Sequence, residues 1–68
     1  MDGLKMKSKM VLHGDTNATL AKAIGLSAQR LSAKINETNG AEFTQSEIQK
    51  IKERYSLTLQ EADEIFFN

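Results

Sequence analysis

The sequence predicts an all-α domain of five short helices, and three observations support this prediction. Proline is absent and only 4 glycines occur in 68 residues, so few residues interrupt a helix. Apolar residues recur at helical spacing, as in Leu31 and Ile35, which are four residues apart. Two segments begin with a threonine that is followed three positions later by a glutamate and then by apolar residues. This pattern is typical of helix N-termini.

The first helix is predicted to run from Leu4 to about His13. We expect Leu4, Met10 and Val11 to face the core, and the lysines of this segment to face solvent. Gly14 follows at a position where a left-handed C-cap favours glycine. Residues 1–3 precede this helix and are expected to be disordered.

Residues 16–36 predict two short helices joined by a tight turn at residues 25–27. Gly25 lies just past the last apolar residue of the first helix, where a left-handed C-cap requires little steric bulk. Two helices joined by so short a turn are typical of a helix-turn-helix. The apolar side chains of this helix pair that we expect to face the core are Leu20, Ala21, Ile24, Leu31 and Ile35.

Polar side chains at the ends of these helices support the same boundaries. Asp15 or Thr16 is expected to cap the first helix of the pair, and Ser27 the second. Leu26 and Leu31 stand on either side of the Ser27 cap at the positions of a hydrophobic staple.

Two capping boxes mark the starts of the last two helices. Thr44 precedes Glu47 by three residues, and Thr58 precedes Glu61 in the same way. Helix 4 is therefore predicted to begin at Thr44 and helix 5 to follow Thr58. Residues 37–42 form a polar loop that contains an Asn-Gly turn signal. The predicted core side chains of these two helices are Ile48, Ile51, Tyr55, Ala62, Ile65 and Phe66.

The composition argues against catalytic and metal sites. The chain has no cysteine, and His13 is its only histidine, so neither a thiolate site nor a histidine cluster is available. No base accompanies a nucleophile and no glycine-rich phosphate loop occurs, so we expect no enzyme, cofactor, metal ion or small-molecule ligand. The length predicts one domain over residues 1–68. No apolar run of bilayer length and no signal peptide is found, and the expected location is the cytoplasm.

The charges are distributed unevenly although the net charge is zero. Residues 1–40 contain six basic and three acidic residues, whereas residues 41–68 contain three basic and six acidic residues. A neutral protein with this distribution can present a positive half to phosphate groups. Ordinary solvated helix faces are the alternative explanation, particularly for the second half.

The residues of the two-helix stretch resemble the lambda-repressor-like family, which includes Cro and the phage repressors. The segment from Phe43 onward also resembles small phage-encoded regulators, and the resemblance covers nearly the whole chain after Lys9. The chain departs from the family at Asn17, where glutamine is usual, and at Ala28, where a polar base-reading residue is common. The positions that carry the resemblance are Thr16, Leu20, Ala21, Gly25, Ser27, Leu31 and Ile35, with Asn17 at the position of the usual glutamine.

The resemblance implies a lambda-repressor-like fold and a sequence-specific transcription regulator that binds double-stranded DNA, of phage or prophage origin. Its recognition helix, residues 28–36, would enter the major groove. Gln29 is the best candidate base reader, because its amide can bond adenine at N6 and N7 together. The expected base contacts are Ser27, Ala28, Gln29, Arg30, Ser32 and Ala33. The expected phosphate contacts are Asn17, Lys34 and Asn36.

Proteins of this family commonly pair on two-fold symmetric operators, so a homodimer on DNA is expected. Ile65, Phe66 and Phe67 form the candidate dimer surface, because adjacent phenylalanines on a helix cannot both face the core. The alternative function is a protein-interaction module of the same fold, an antirepressor or adaptor that does not bind DNA. The zero net charge and Ala28 favour that alternative.

Overall fold

Five α-helices and one 3-10 turn follow one another in a computed structural model that describes residues 1–67. No strand occurs in these residues, which confirms the predicted all-α class. None of their helices is both long and apolar enough to cross a membrane. The elements are α1 (Gly3–Leu12), α2 (Asn17–Ile24), α3 (Ala28–Ile35), the 3-10 turn (Thr38–Gly40), α4 (Gln45–Tyr55) and α5 (Leu59–Phe66).

The core lies where all five helices meet. α1 packs on α5, and α2 packs on both α3 and α4. Every core position predicted for helices 2 to 4 is buried. The buried apolar side chains are Met6, Met10, Leu20, Ala21, Ile24, Leu31, Ile35, Ile48, Ile51, Tyr55, Ala62 and Ile65.

Local side chains define the helix ends, as the sequence predicts. The Thr44 Oγ1 accepts a hydrogen bond from the Glu47 N–H at 3.2 Å, and the Glu47 carboxylate accepts one from the Thr44 N–H at 2.9 Å. Thr58 and Glu61 form the same capping box at the start of α5. Of the two candidates for the α2 cap, Thr16 occupies the position. These threonines satisfy N–H groups that have no partner inside their helices.

The prediction that Leu4 and Val11 face the core is wrong. Both side chains are exposed, and Met6 and Met10 are the buried residues of α1. Met6 and Met10 are four residues apart and share one helix face, whereas Leu4 lies about 160° around the helix axis from Met6. Ion pairs to α5 support this orientation, because Lys5 and Lys9 contact glutamates of α5.

Residues 1–3, for which the sequence predicts disorder, make defined contacts. The Asp2 carboxylate caps α1 by accepting a hydrogen bond from the Lys5 N–H at 3.1 Å. The Asp2 N–H donates to the Ile65 carbonyl at 2.7 Å, which ties this segment to α5. A Cβ at Gly3 would lie 3.3 Å from the Ile35 carbonyl oxygen, so glycine permits the close approach of α1 to the end of α3.

The candidate dimer surface at the end of α5 is only partly available. Ile65 is 1% exposed and belongs to the core, so its assignment to that surface is wrong. Phe66 is half-buried and packs edge-on against Phe43, with ring centroids 5.8 Å apart. Phe67 is exposed. Phe66 and Phe67 thus point in different directions, as expected for neighbours on a helix.

Candidate nucleic-acid interface

The connection between α2 and α3 comprises Gly25, Leu26 and Ser27. Gly25 has φ +81°, and the Leu26 N–H donates to the Ala21 carbonyl at 2.8 Å, which closes the end of α2. The Ser27 Oγ accepts a hydrogen bond from the Arg30 N–H at 3.1 Å and so begins α3. The predicted turn and both caps are confirmed. They determine where the first residues of α3 lie on the protein surface.

One side of α3 is buried and the other is open to solvent. Leu31, Lys34 and Ile35 are buried, whereas Gln29 is exposed. Gln29 precedes Leu31 by two residues, so its side chain projects about 200° around the helix axis from the side chain of Leu31. The candidate base contacts divide by exposure: Ser27, Ala28, Gln29 and Arg30 are exposed, and Ser32 and Ala33 are partly buried.

Asn17 and Asn36 lie at opposite ends of the α2–α3 pair, and both are exposed. Asn17 is the first residue of α2, beside backbone N–H groups that the helix leaves free. Asn36 caps the end of α3, and its amide donates to the Ser32 Oγ at 3.4 Å. Both candidate phosphate contacts are therefore accessible to a ligand.

Lys34 does not share the exposed side of α3. Its ammonium bonds the Glu47 carboxylate at 2.6 Å, and the two side chains are 8% and 13% exposed. Burial by itself raises the pKa of Glu47, but the hydrogen bonds from Lys34 and from the Thr44 N–H outweigh it and hold that pKa below its ordinary value. Lys34 therefore joins α3 to the start of α4, and we do not retain it as a phosphate contact.

The exposed charges of the α2–α3 pair are all positive. Residues 16–36 contain no aspartate or glutamate. Lys22 and Arg30 are exposed. Within residues 1–67 neither makes an ion pair, whereas Lys5, Lys9, Lys34 and Arg54 each do. This surface therefore offers cations to a negatively charged partner without a competing carboxylate of its own.

Asp15, next to this segment, is an ionised carboxylate paired within a cluster that sequence reasoning missed. Its carboxylate accepts hydrogen bonds from the Arg54 Nε and a terminal Arg54 nitrogen at 2.8 Å each, from the Tyr55 hydroxyl at 2.6 Å and from the Thr19 hydroxyl at 2.8 Å. The His13 ring stacks on Tyr55 with centroids 4.6 Å apart. A buried tyrosine hydroxyl usually has a partner, and the predicted burial of Tyr55 was the signal for this cluster.

The cluster alters the ionisation of its members. The Arg54 hydrogen bonds, with help from Tyr55 and Thr19, hold the pKa of Asp15 well below its usual range against the opposing effect of burial. Burial, followed by the hydrogen bond to Asp15, raises the pKa of Tyr55 well above its usual range. Asp15 is therefore a fixed, paired anion at neutral pH, and it joins the α1–α2 loop to the end of α4.

Comparisons with family models, with curated proteins and with solved structures find no match for this chain. The family suggested by the sequence pattern therefore stays a prediction, and the functional argument depends on the surface of α2 and α3.

Proposed function

We propose that the protein is a lambda-repressor-like transcription regulator that binds double-stranded DNA, with α2 and α3 acting as a helix-turn-helix. The observation that carries this proposal is the exposed side of α3, where Gln29 and Arg30 project from a segment free of carboxylates. A helix of this length fits the major groove, where the first residues of a recognition helix meet base edges.

In this proposal the residues of the surface have separate roles. Gln29 bonds adenine at N6 and N7, and Arg30 bonds guanine or a neighbouring phosphate. Asn17 and the free N–H groups at the start of α2 bond a backbone phosphate. Arg54 pairs with Asp15, so the carboxylate two residues before Asn17 is accompanied by a positive charge. Ser27, Ala28, Ser32 and Ala33 approach the bases closely because their side chains are small.

The proposal is tested by selecting bound sites from random duplex DNA and then measuring binding of substituted proteins. Gln29→Ala should weaken binding to the selected site by roughly 1–3 kcal/mol and relax preference at one base pair. Binding to scrambled duplex should change little, because that binding depends on phosphate contacts. Gln45→Ala is a matched control, since Gln45 is also an exposed residue in the first turn of a helix.

Arg30→Ala separates base reading from phosphate binding. If Arg30 contacts phosphate, the substitution should weaken binding to all sequences alike and reduce the salt slope by about one unit. If it contacts guanine, the loss should be confined to the selected site. Lys50→Ala is the control, since Lys50 is an exposed lysine of α4. Failure to enrich any site, or unchanged binding for both Gln29→Ala and Arg30→Ala, would support the protein-interaction alternative.

A further inference from the structure

The outer side of α1 is an apolar surface that the core does not use. Leu4, Val11 and Leu12 are 79%, 78% and 73% exposed. Together with Lys7 and Ser8 they line one shallow depression, which we call the α1 face. Single exposed apolar residues are ordinary, but a contiguous group with a polar rim is typical of an interaction surface.

A second exposed apolar surface lies on α5. Leu59 is 81% exposed and Phe67 is 61% exposed. They are eight residues apart with Asp63 midway, so the three positions form one row along the helix. The depression that they line, which we call the α5 face, also includes Lys52, Gln60 and Ala62.

The charges of the two faces are complementary. Within residues 1–67 neither Lys7 nor Asp63 makes an ion pair, whereas Lys5 and Lys9 of α1 pair with Glu64 and Glu61 of α5 inside the same chain. Lys7 lies among apolar side chains of α1, and Asp63 lies between Leu59 and Phe67. The α1 face therefore carries one charge, Lys7. The α5 face carries the exposed Asp63 within its apolar row and, in the same depression, the partly buried Lys52.

We propose that the α1 face of one copy docks on the α5 face of a second copy, with Lys7 pairing with Asp63. Contact between two α1 faces would bring Lys7 towards Lys7, and such a like-charge contact disfavours association. Asp63 of an α5 face instead offers Lys7 a partner of opposite charge. Because the two faces differ, the interface is heterologous and joins copies head to tail. This association does not depend on DNA binding, so it stands or fails separately from the proposed function.

Sedimentation of the unmodified chain over a range of concentrations tests the proposal first. The average mass should rise with concentration, and added salt should oppose the rise, because salt screens the Lys7–Asp63 pair. Val11→Ser should weaken the association by removing apolar area from the α1 face. A chain that stays monomeric at the highest concentration would overturn the proposal.

Charge reversal tests the pairing itself. Lys7→Glu and Asp63→Lys should each weaken association by about tenfold or more, because each places like charges together. An equimolar mixture of the two variants should associate again, since each α1 face then meets an α5 face of opposite charge. Lys50→Glu, which reverses an exposed lysine of α4, should leave association unchanged.

Two results would overturn the pairing. One is a mixture that stays as monomeric as its separate variants while circular dichroism shows both to be folded. The other is unchanged association of either single variant.

Discussion

Replacing Asp15 with Asn removes the charged acceptor on which Arg54, Tyr55 and Thr19 converge. The asparagine side chain has one acceptor oxygen, so it cannot accept all of these hydrogen bonds. Arg54 is partly exposed, and water can replace its contribution, so we count only the buried hydroxyl of Tyr55. A hydrogen bond to a charged group contributes roughly 1.5–3 kcal/mol, and we expect the free energy of unfolding to fall by about this amount at neutral pH.

The loss should depend on pH in a defined direction. The pKa of Asp15 in the folded protein is below its ordinary value of 3.8, mainly because of the Arg54 hydrogen bonds. In acid the unfolded chain therefore binds a proton that the folded chain does not. The stabilisation by this carboxylate is fully present above about pH 4 and declines as the pH falls further, at up to roughly 1.4 kcal/mol per pH unit. The difference in the free energy of unfolding between the unmodified chain and Asp15→Asn should therefore become smaller in acid.

Urea unfolding at several pH values between neutral and strongly acidic measures both effects. Tyr55→Phe should reproduce much of the loss at neutral pH, because it removes the hydroxyl but keeps the ring that stacks on His13. Glu42→Gln is a matched control, since Glu42 is an exposed carboxylate. The reasoning would be refuted if the free energies of unfolding of Asp15→Asn and the unmodified chain differed by less than about 0.5 kcal/mol at neutral pH, a difference typical of surface substitutions. It would also be refuted if the difference stayed constant in acid.

Three further substitutions test the core, an ion pair and a helix end. Leu31→Ala should lower the free energy of unfolding by about 2–5 kcal/mol, because Leu31 is fully buried; a urea midpoint close to that of the unmodified chain would contradict its core position. Lys34→Met should cost roughly 1.5–3 kcal/mol and raise the pKa of Glu47, which carboxyl chemical shifts report; an unchanged pKa would show that the ion pair is absent in solution. Ser56→Gly should stabilise the protein by up to about 1 kcal/mol, because Ser56 ends α4 at φ +49°, a conformation that glycine adopts without strain. Equal melting temperatures for Ser56→Gly and the unmodified chain would contradict that strain.

Helix ends were predictable because their determinants are local. Thr44 and Glu47 are three residues apart, and their hydrogen bonds follow from that spacing. Gly25 and Ser27 likewise act within one turn of their own positions. The sequence alone was enough to locate these boundaries to within a residue or so.

The orientation of α1 was not predictable in the same way. Leu4 and Met6 are both apolar, and the choice between them depends on contacts with α5 at the other end of the chain. The ion pairs of Lys5 with Glu64 and of Lys9 with Glu61 join residues more than fifty positions apart. Periodicity within α1 contains no information about those partners.

The candidate site likewise combines features that local sequence predicts with features that depend on contacts distant in sequence. The exposure of Gln29 follows from its distance of two residues from Leu31, and the structure agrees. Lys34 follows Leu31 by three residues and therefore lies on the buried side of α3. This spacing indicated burial, but the positive charge of Lys34 favoured the prediction of an exposed phosphate contact. The Asp15 cluster joins a loop to a helix about forty residues away. In the sequence, only a tyrosine expected to be buried, whose hydroxyl needs a hydrogen-bond partner, could have indicated it.

The hydrogen bond from the Asp2 N–H to the Ile65 carbonyl has a topological consequence. It places the two ends of the described chain side by side, and α1 packs on α5 along the same contact. α1 and α5 are thus neighbours in space although they are farthest apart in sequence. A circularly permuted chain, opened in the exposed turn at Thr38–Gly40 and rejoined by a short linker, should therefore keep every helix and its packing partners.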